Sequence, residues 1–246
     1  MLNVLLTGHQ GFIGGNVLQQ TSHASDGIQI IPYEGDIRQF DVSSLKGIDT
    51  VLHLAAMTGV RNSWKEPNRY WETNVNASKK IFNACIARNI RVVYASSSSI
   101  YEWWLNPYAA SKKAMEELAP NNAIGLRFHT VYGENSRPDM LFDMLINNKV
   151  EYLTWHQRDF THVNDVVDAI KIVLREDGLY GMIDVGTSKT VSVVDVAKAF
   201  NYRDVPIKEV TGEREITLAS IATLQNYLGW SPKYDILSYI KSRGEE

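Results

Sequence analysis

One cysteine, Cys85, occurs in 246 residues. No disulfide can close within the chain, and a reducing, cytoplasmic setting is expected. On a helical segment Cys85 reads as a small buried apolar residue, not a nucleophile. No apolar run approaches the ~18 residues that span a bilayer. The first residues, MLNVLLTGHQ, lack the basic stretch and small-residue cleavage site of a secretory leader, so no membrane partner is expected. Neither charge dominates. Lys and Arg number 25 against 28 Asp and Glu, a formal net charge of −3, which gives no sign of a nucleic-acid partner. The six histidines show no metal-ligand spacing, so no metal is expected. Repeats, low-complexity tracts and linkers are absent as well.

What is present is an alternation. Short runs rich in Val and Ile, at 3–8, 28–33, 50–56, 91–96, 123–128 and 182–186, read as buried strands. Continuous apolar runs bounded by turns suit a parallel sheet covered on both faces. Helical patterns lie between them at 12–21, 68–88, 108–119 and 163–175. In the third, Ala110, Ala114, Met115 and Leu118 recur at helical spacing. In the fourth, Val163, Val166, Val167, Ile170, Val173 and Leu174 do so. The expected class is α/β, a doubly wound parallel sheet with right-handed crossovers. After residue 133 the rhythm breaks. A helix at 137–148, a strand at 150–155, a helix at 192–200, a strand at 205–210 and two short helices are expected. They are assigned to a small C-terminal α/β domain at the carboxyl edge of the sheet, where such folds bind ligands.

The first strand runs into TGHQGFIGG (7–15), with Gly8, Gly11 and Gly14 at G-x-x-G-x-x-G spacing. The first glycine permits a tight turn, the second lets backbone approach a pyrophosphate, and the third lets helix pack on strand. The helix N-terminus adds N–H groups and partial positive charge. Such a turn, following the first strand and opening the first helix, predicts a bound dinucleotide. An acid should follow at the end of the second strand to accept from ribose hydroxyls. Glu34 and Asp36 are the candidates, with Asp36-Ile37 an alternative flank for the adenine. Arg38 raises NADP, but an acid at the strand end disfavours the extra phosphate, and NAD is preferred.

The stretch SSSIYEWWLNPYAASK (97–112) ends a strand in hydroxyls, then places Tyr108 and Lys112 at i and i+4 on one helix face. An ammonium beside a phenol favours phenolate, so Tyr108 could serve as a general base near neutral pH. A serine hydroxyl would hold the substrate oxygen. The cofactor would carry the hydride chemistry.

Together these residues resemble the extended short-chain dehydrogenase/reductase family, in its NAD-dependent nucleotide-sugar epimerase/dehydratase branch. TGHQGFIG, HLAA (53–56), YASSSSIY (94–101), YAASK (108–112) and RDFTHVNDVVDAI (158–170) follow that family's pattern in order. MTGVRNSWKEPNRYWETN (57–74) and GLRFHTVYGENSRPDMLF (125–142) are similar to UDP-glucuronate 4-epimerases. The resemblance implies a Rossmann-type NAD domain over 1–132 and 161–187 and a nucleotide-sugar domain over 133–160 and 188–246. It implies cofactor contacts at Gly8, Gln10, Gly11, Phe12, Ile13, Gly14, Glu34, Asp36, Ile37, Leu54, Ala55, Ala56 and Asn74, besides Tyr108 and Lys112. It implies catalysis by Ser97, Tyr108 and Lys112, and substrate contacts at Ser97, Ser98, Thr130, Arg137 and Arg158, the arginines facing the diphosphate of a UDP-sugar. For His129, next to Thr130, a structural role is favoured, with a substrate contact as the alternative. A homodimer through 68–88 and 108–119 is the family habit.

The implied activity is NAD-dependent 4-epimerisation of a UDP-hexuronate or UDP-hexose through a transient 4-keto sugar. Dehydratases of the family carry Asp and Glu directly after the catalytic hydroxyl, where this chain has Ser98 and Ser99. An NADPH-dependent 4-keto sugar reductase and a non-catalytic binder are the alternatives. The chain is shorter than usual for the family. Strand two runs almost straight into Asp36, Glu102 replaces a glycine, and the loop EWWLNP is abbreviated. Trp103 and Trp104 either roof the pocket or simply pack.

Overall fold

The computed structural model describes residues 1–21 and 27–243. Along the chain, β1 (Leu2–Thr7) leads through α1 (Phe12–Gln20) to β2 (Ile28–Pro32), and two short 3₁₀ turns precede β3 (Thr50–His53). Helices α2 (Val60–Ser63), α3 (Pro67–Trp71) and α4 (Ser78–Ile86) reach β4 (Arg91–Ser97). A 3₁₀ stretch over Ser98–Leu105 enters α5 (Pro107–Leu118), then β5 (Ile124–Phe128) and β6 (Thr130–Tyr132). The rest comprises α6 (Leu141–Ile146), β7 (Gln157–Arg158), β8 (Phe160–His162), α7 (Val163–Arg175), β9 (Gly181–Val185), β10 (Val191–Ser192), α8 (Val193–Ala199), α9 (Ala222–Leu228) and α10 (Ile236–Arg243).

All six expected strands join one sheet in the order β2-β1-β3-β4-β5-β9, and every pairing is parallel. Because side chains alternate across a strand, Val4 and Leu6 enter one core with α1 and α7, while Leu5 enters a second core with α4 and Met115. The six predicted apolar positions of α7 are all buried. The chain leaves β1 toward β2 on one side and reaches β3 on the other. That reversal opens a crevice at the carboxyl ends of β1 and β3, where Thr7 lies in register with His53.

A third apolar cluster, including Tyr132, Phe142, Leu145, Val196, Ile236 and Ile240, forms above that edge. It is bordered by the small pairs β6–β8 and β7–β10. Several expectations shrink there. The helix expected at 137–148 covers only Leu141–Ile146: Pro138 precedes it and Asn148 follows with φ 54°, a left-handed stop. The strands expected at 150–155 and 205–210 reduce to one bridge between Leu153 and Ile207. Ala219, Ile221, Leu224 and Trp230 pack into the first core under the sheet, although 188–246 was assigned to the small domain. The 68–88 helix is interrupted by a widened π turn over Glu72–Ala77.

Candidate active site

The glycine turn sits as its spacing requires. Gly8 has φ +78°, and a Cβ there would lie 2.6 Å from the Ala55 nitrogen. A Cβ on Gly14 would lie 2.1 Å from the Gly8 carbonyl oxygen. Only bare backbone lets α1 approach β1 and β3 this closely. Helix α1 starts at Gly11 with no side-chain cap and no acid in its first turn. Its opening N–H groups are therefore left to an anion, and the cradle fits a dinucleotide pyrophosphate.

Hydroxyl, phenol and ammonium converge on the same crevice from two elements. Ser97 ends β4, and its Oγ accepts from the Ser99 backbone N–H at 3.2 Å. Helix α5 is started by Asn106, whose Oδ1 accepts from the Ala109 N–H at 2.8 Å, with Pro107 in the first turn. This cap aims Tyr108 at the end of β4. Lys112, one turn later, is buried, and its Nζ donates to the Ala95 carbonyl at 2.8 Å. Burial lowers the Lys112 pKa to about 7, against a raising influence of Glu116. Glu116 itself takes two hydrogen bonds from Arg127 and one from Ser96, which ties α5 to β4 and β5.

One electrostatic expectation is corrected. The Tyr108 phenol is raised, not lowered: close packing disfavours its anion, while a hydrogen bond with Ser97 and the charge of Arg137 pull the other way. Lys112 is turned to the Ala95 carbonyl and is not among the influences on the phenol.

Gly8, Gly11, Phe12, Ile13, Gly14, Leu54 and Ala56 line one cleft of about 930 Å³ together with Ser97, Ser98, Tyr108, Lys112, Thr130, Arg137 and Arg158. His129 also reaches it. Six other residues expected at the site lie outside this lining. Gln10 is exposed. The Ala55 N–H is spent on the Thr7 hydroxyl at 3.3 Å. Asn74 is interior, accepting from Met57 N–H and donating to the Met57 carbonyl and Ser111 hydroxyl, so it braces the loop after β3. Ile37 belongs to the second core and is 6% exposed.

Each of the two acids has a partner within the protein, Glu34 at the glycine turn and Asp36 in the turn that follows β2. Glu34 faces His9 at 3.3 Å. Asp36 caps the following turn through the Arg38 N–H and forks onto the Arg38 guanidinium, which holds its carboxyl at about 2. These positions follow from the missing chain between β2 and Asp36: the turn begins at once and draws the carboxylate into its own cap. The same fork occupies Arg38, the one feature that favoured NADP.

At the far wall, Arg137 bonds Asp139 at 3.1 Å and the Thr58 hydroxyl. Arg158 pairs with Glu213 at 3.2 Å and donates to the carbonyls of Gln157, Arg214 and Glu215. Glu213 also takes Arg61 at 3.4 Å. Glu213 and Arg214 escaped the sequence reading because they lie over fifty residues from Arg158, in a segment with no periodic pattern. Trp103 and Trp104 are 45% and 65% exposed and meet each other edge-on, so neither roofs the cleft.

Comparison with known proteins agrees with this geometry. Residues 4–186 match the model of the NAD dependent epimerase/dehydratase family. A UDP-glucose epimerase of Bacillus subtilis (strain 168), YtcB, itself uncharacterized, is 29% identical over 94% of this chain and 93% of its own. The solved structure of MoeE5 in complex with UDP-glucuronic acid and NAD superposes with TM-score 0.88 at 29% identity, covering 99% of this chain and 100% of that one. UDP-glucuronic acid 4-epimerase from Bacillus cereus, in complex with UDP-glucuronic acid and NAD, gives TM-score 0.87 at 25% identity, covering 99% and 98%. With its glycine cradle, its serine, tyrosine and lysine, and a family match over most of its length, the chain belongs to the NAD dependent epimerase/dehydratase family.

Proposed function

We propose that the protein is an NAD-dependent 4-epimerase of UDP-sugars, acting on a UDP-hexuronate or UDP-hexose. The observation that carries this reading is the meeting of Ser97, Tyr108 and Lys112 with the glycine cradle in one cleft. NAD, when bound, supplies a reversible hydride acceptor whose oxidised ring is positively charged. Tyr108 removes the proton from the sugar 4-hydroxyl and returns it after the sugar has turned over. Ser97 holds the 4-oxygen, and Lys112 supplies positive charge beside the phenol once its hold on the Ala95 carbonyl is shared. Because packing raises the phenol's pKa in the free protein, Tyr108 becomes a base only when positive charge gathers next to it. Arg137 and Arg158 face the diphosphate from the opposite wall.

Ser98 and Ser99 offer no carboxyl pair for eliminating water, which favours epimerisation over dehydration. The closed Arg38–Asp36 fork favours NAD over NADPH and so disfavours the reductase alternative. A homodimer is part of the proposal. Trp71 and Ile86, 46% and 58% exposed on the 67–86 helical run, give that face apolar surface to cover. No helix among the described residues is long and apolar enough to cross a membrane, and the lone buried Cys85 suits a cytoplasmic setting.

The test is proton NMR of the anomeric region with NAD and either UDP-glucuronic acid or UDP-glucose. A second anomeric signal growing to equilibrium supports the epimerase. Tight NAD and nucleotide binding without any new signal would leave a binder.

A further inference from the structure

Beside the catalytic serine the cleft opens into a recess of about 170 Å³. Its mouth is shared with the cleft at Ser98, Ser99 and Thr130. Its inner wall adds Glu102, Asn106 and Arg214, none of which the reaction described above uses at a substrate atom. We propose that this recess receives a carboxylate on the sugar ring and that Arg214 is the residue that reads it. The inference rests on the UDP-sugar reading and narrows it to the acidic sugars.

Three features carry it. The first is charge. Arg61 and Arg158 share Glu213, while Arg214 has Glu102. Within the recess itself Arg158 and Arg214 face Glu213 and Glu102, so its wall is balanced in charge only while Glu102 stays on Arg214, and it turns net positive when Glu102 leaves. The second is the way Arg214 is held. Its guanidinium lies 5.3 Å from the Tyr101 ring centre and within 3.5 Å of the Ser98 carbonyl. Tyr101 is itself fixed by its hydroxyl donating to Asp184 at 2.6 Å. The guanidinium therefore keeps its place without Glu102, so little ordering is needed when a ligand arrives. The third is Glu102. It touches Arg214 through a single 3.3 Å contact, and its side chain is 38% exposed. A half-exposed carboxylate on one bond can swing into water. The Glu102 carboxylate stands where a ligand carboxylate would bind. The hydroxyls of Ser98, Ser99 and Thr130 at the mouth supply further donors.

The experiment is calorimetric titration of the NAD-loaded protein with UDP-glucuronic acid and with UDP-glucose, read as the ratio of the two affinities. A charge-assisted contact of this kind predicts about a 10- to 100-fold preference for the acid. In Arg214→Met the ratio should fall to within about threefold of one, and in Glu102→Gln, which frees the guanidinium, it should rise. A wild-type ratio near one, or a ratio unchanged in Arg214→Met, overturns the proposal. If Arg214→Met does not fold, Arg214→Lys replaces it. Lysine keeps the charge but loses the planar fork, and the ratio should then be intermediate; an unchanged ratio overturns the proposal equally. Turnover of both sugars with no affinity preference sinks only the recess. A clear preference with no turnover of either sugar sinks the epimerase reading and leaves the recess standing.

Discussion

Replacing Lys112 by methionine should make the protein more stable near neutral pH and less stable in base. Burial takes the ammonium from its ordinary 10.5 to about 7. Between those values the unfolded chain holds a proton that the folded chain lacks. The burden of Lys112 is therefore full below about pH 7, shrinks as pH rises, and vanishes above 10.5. At ~1.4 kcal/mol per pH unit this amounts to roughly 4–5 kcal/mol at the acid end. Methionine removes that burden but orphans the Ala95 carbonyl, which costs about 1–3 kcal/mol. The net expectation is a gain of about 1–4 kcal/mol near neutrality and a loss of about 1–3 kcal/mol in strong base. Urea denaturation of both proteins without NAD, at about pH 6.5 and about pH 10, measures it, since midpoints shift with stability at constant slope. A variant less stable at both pH values, or a difference that ignores pH, would refute the reasoning. The same substitution should abolish turnover, so that Lys112 is a residue kept for chemistry at a cost in stability.

Tyr108→Phe should lower turnover by about 10³-fold, the scale of a lost general base, with an unchanged circular dichroism spectrum and melting temperature. In Gly14→Ala the new methyl collides with the backbone oxygen of Gly8; a loss of about 2 kcal/mol or more is expected by thermal melting, with NAD affinity falling alongside. Asp159 is fully buried and accepts from the N–H groups of Thr187, Ser188 and Ala219 and from the Thr187 hydroxyl, which fastens β8 to the β9 loop and the 219 segment. Asp159→Ala leaves those donors unpaired and should cost about 2–4 kcal/mol in urea, whereas a change within about 0.5 kcal/mol would show that water replaces the carboxylate.

Residues Val4, Leu5 and Leu6 show why the sheet was legible in the sequence. A continuous apolar run between turns has one low-energy fate in an α/β chain, burial on both faces. The same holds for α7, whose six apolar positions recur at helical spacing. The glycine turn was legible for a similar reason: Gly8 and Gly14 answer to contacts within one strand–turn–helix unit, and such local geometry leaves its mark on local sequence. Ser97, Tyr108 and Lys112 were legible because β4 and α5 are consecutive and the turn between them is short. The small lobe was not, because its strands at 150–155 and 205–210 are single bridges that exist only by meeting each other.

Asp36 and Ile37 mark the other limit. Family pattern puts both on the cofactor, but the shortened link after β2 leaves Asp36 to cap its own turn against Arg38 and drives Ile37 into the core. The amino-acid order by itself determined the sheet, the glycine turn and the meeting of Ser97, Tyr108 and Lys112 in one cleft, all of which depend on spacing within neighbouring elements. Only the tertiary structure decided which acids are free, which direction the Tyr108 pKa moves, and that Arg214 stands beside Ser98. The phenol answers to burial and to Arg137, and Arg214 reaches Ser98 across 116 positions, so no local spacing encodes either; Asp36 goes to a partner two residues away because the link after β2 is so short.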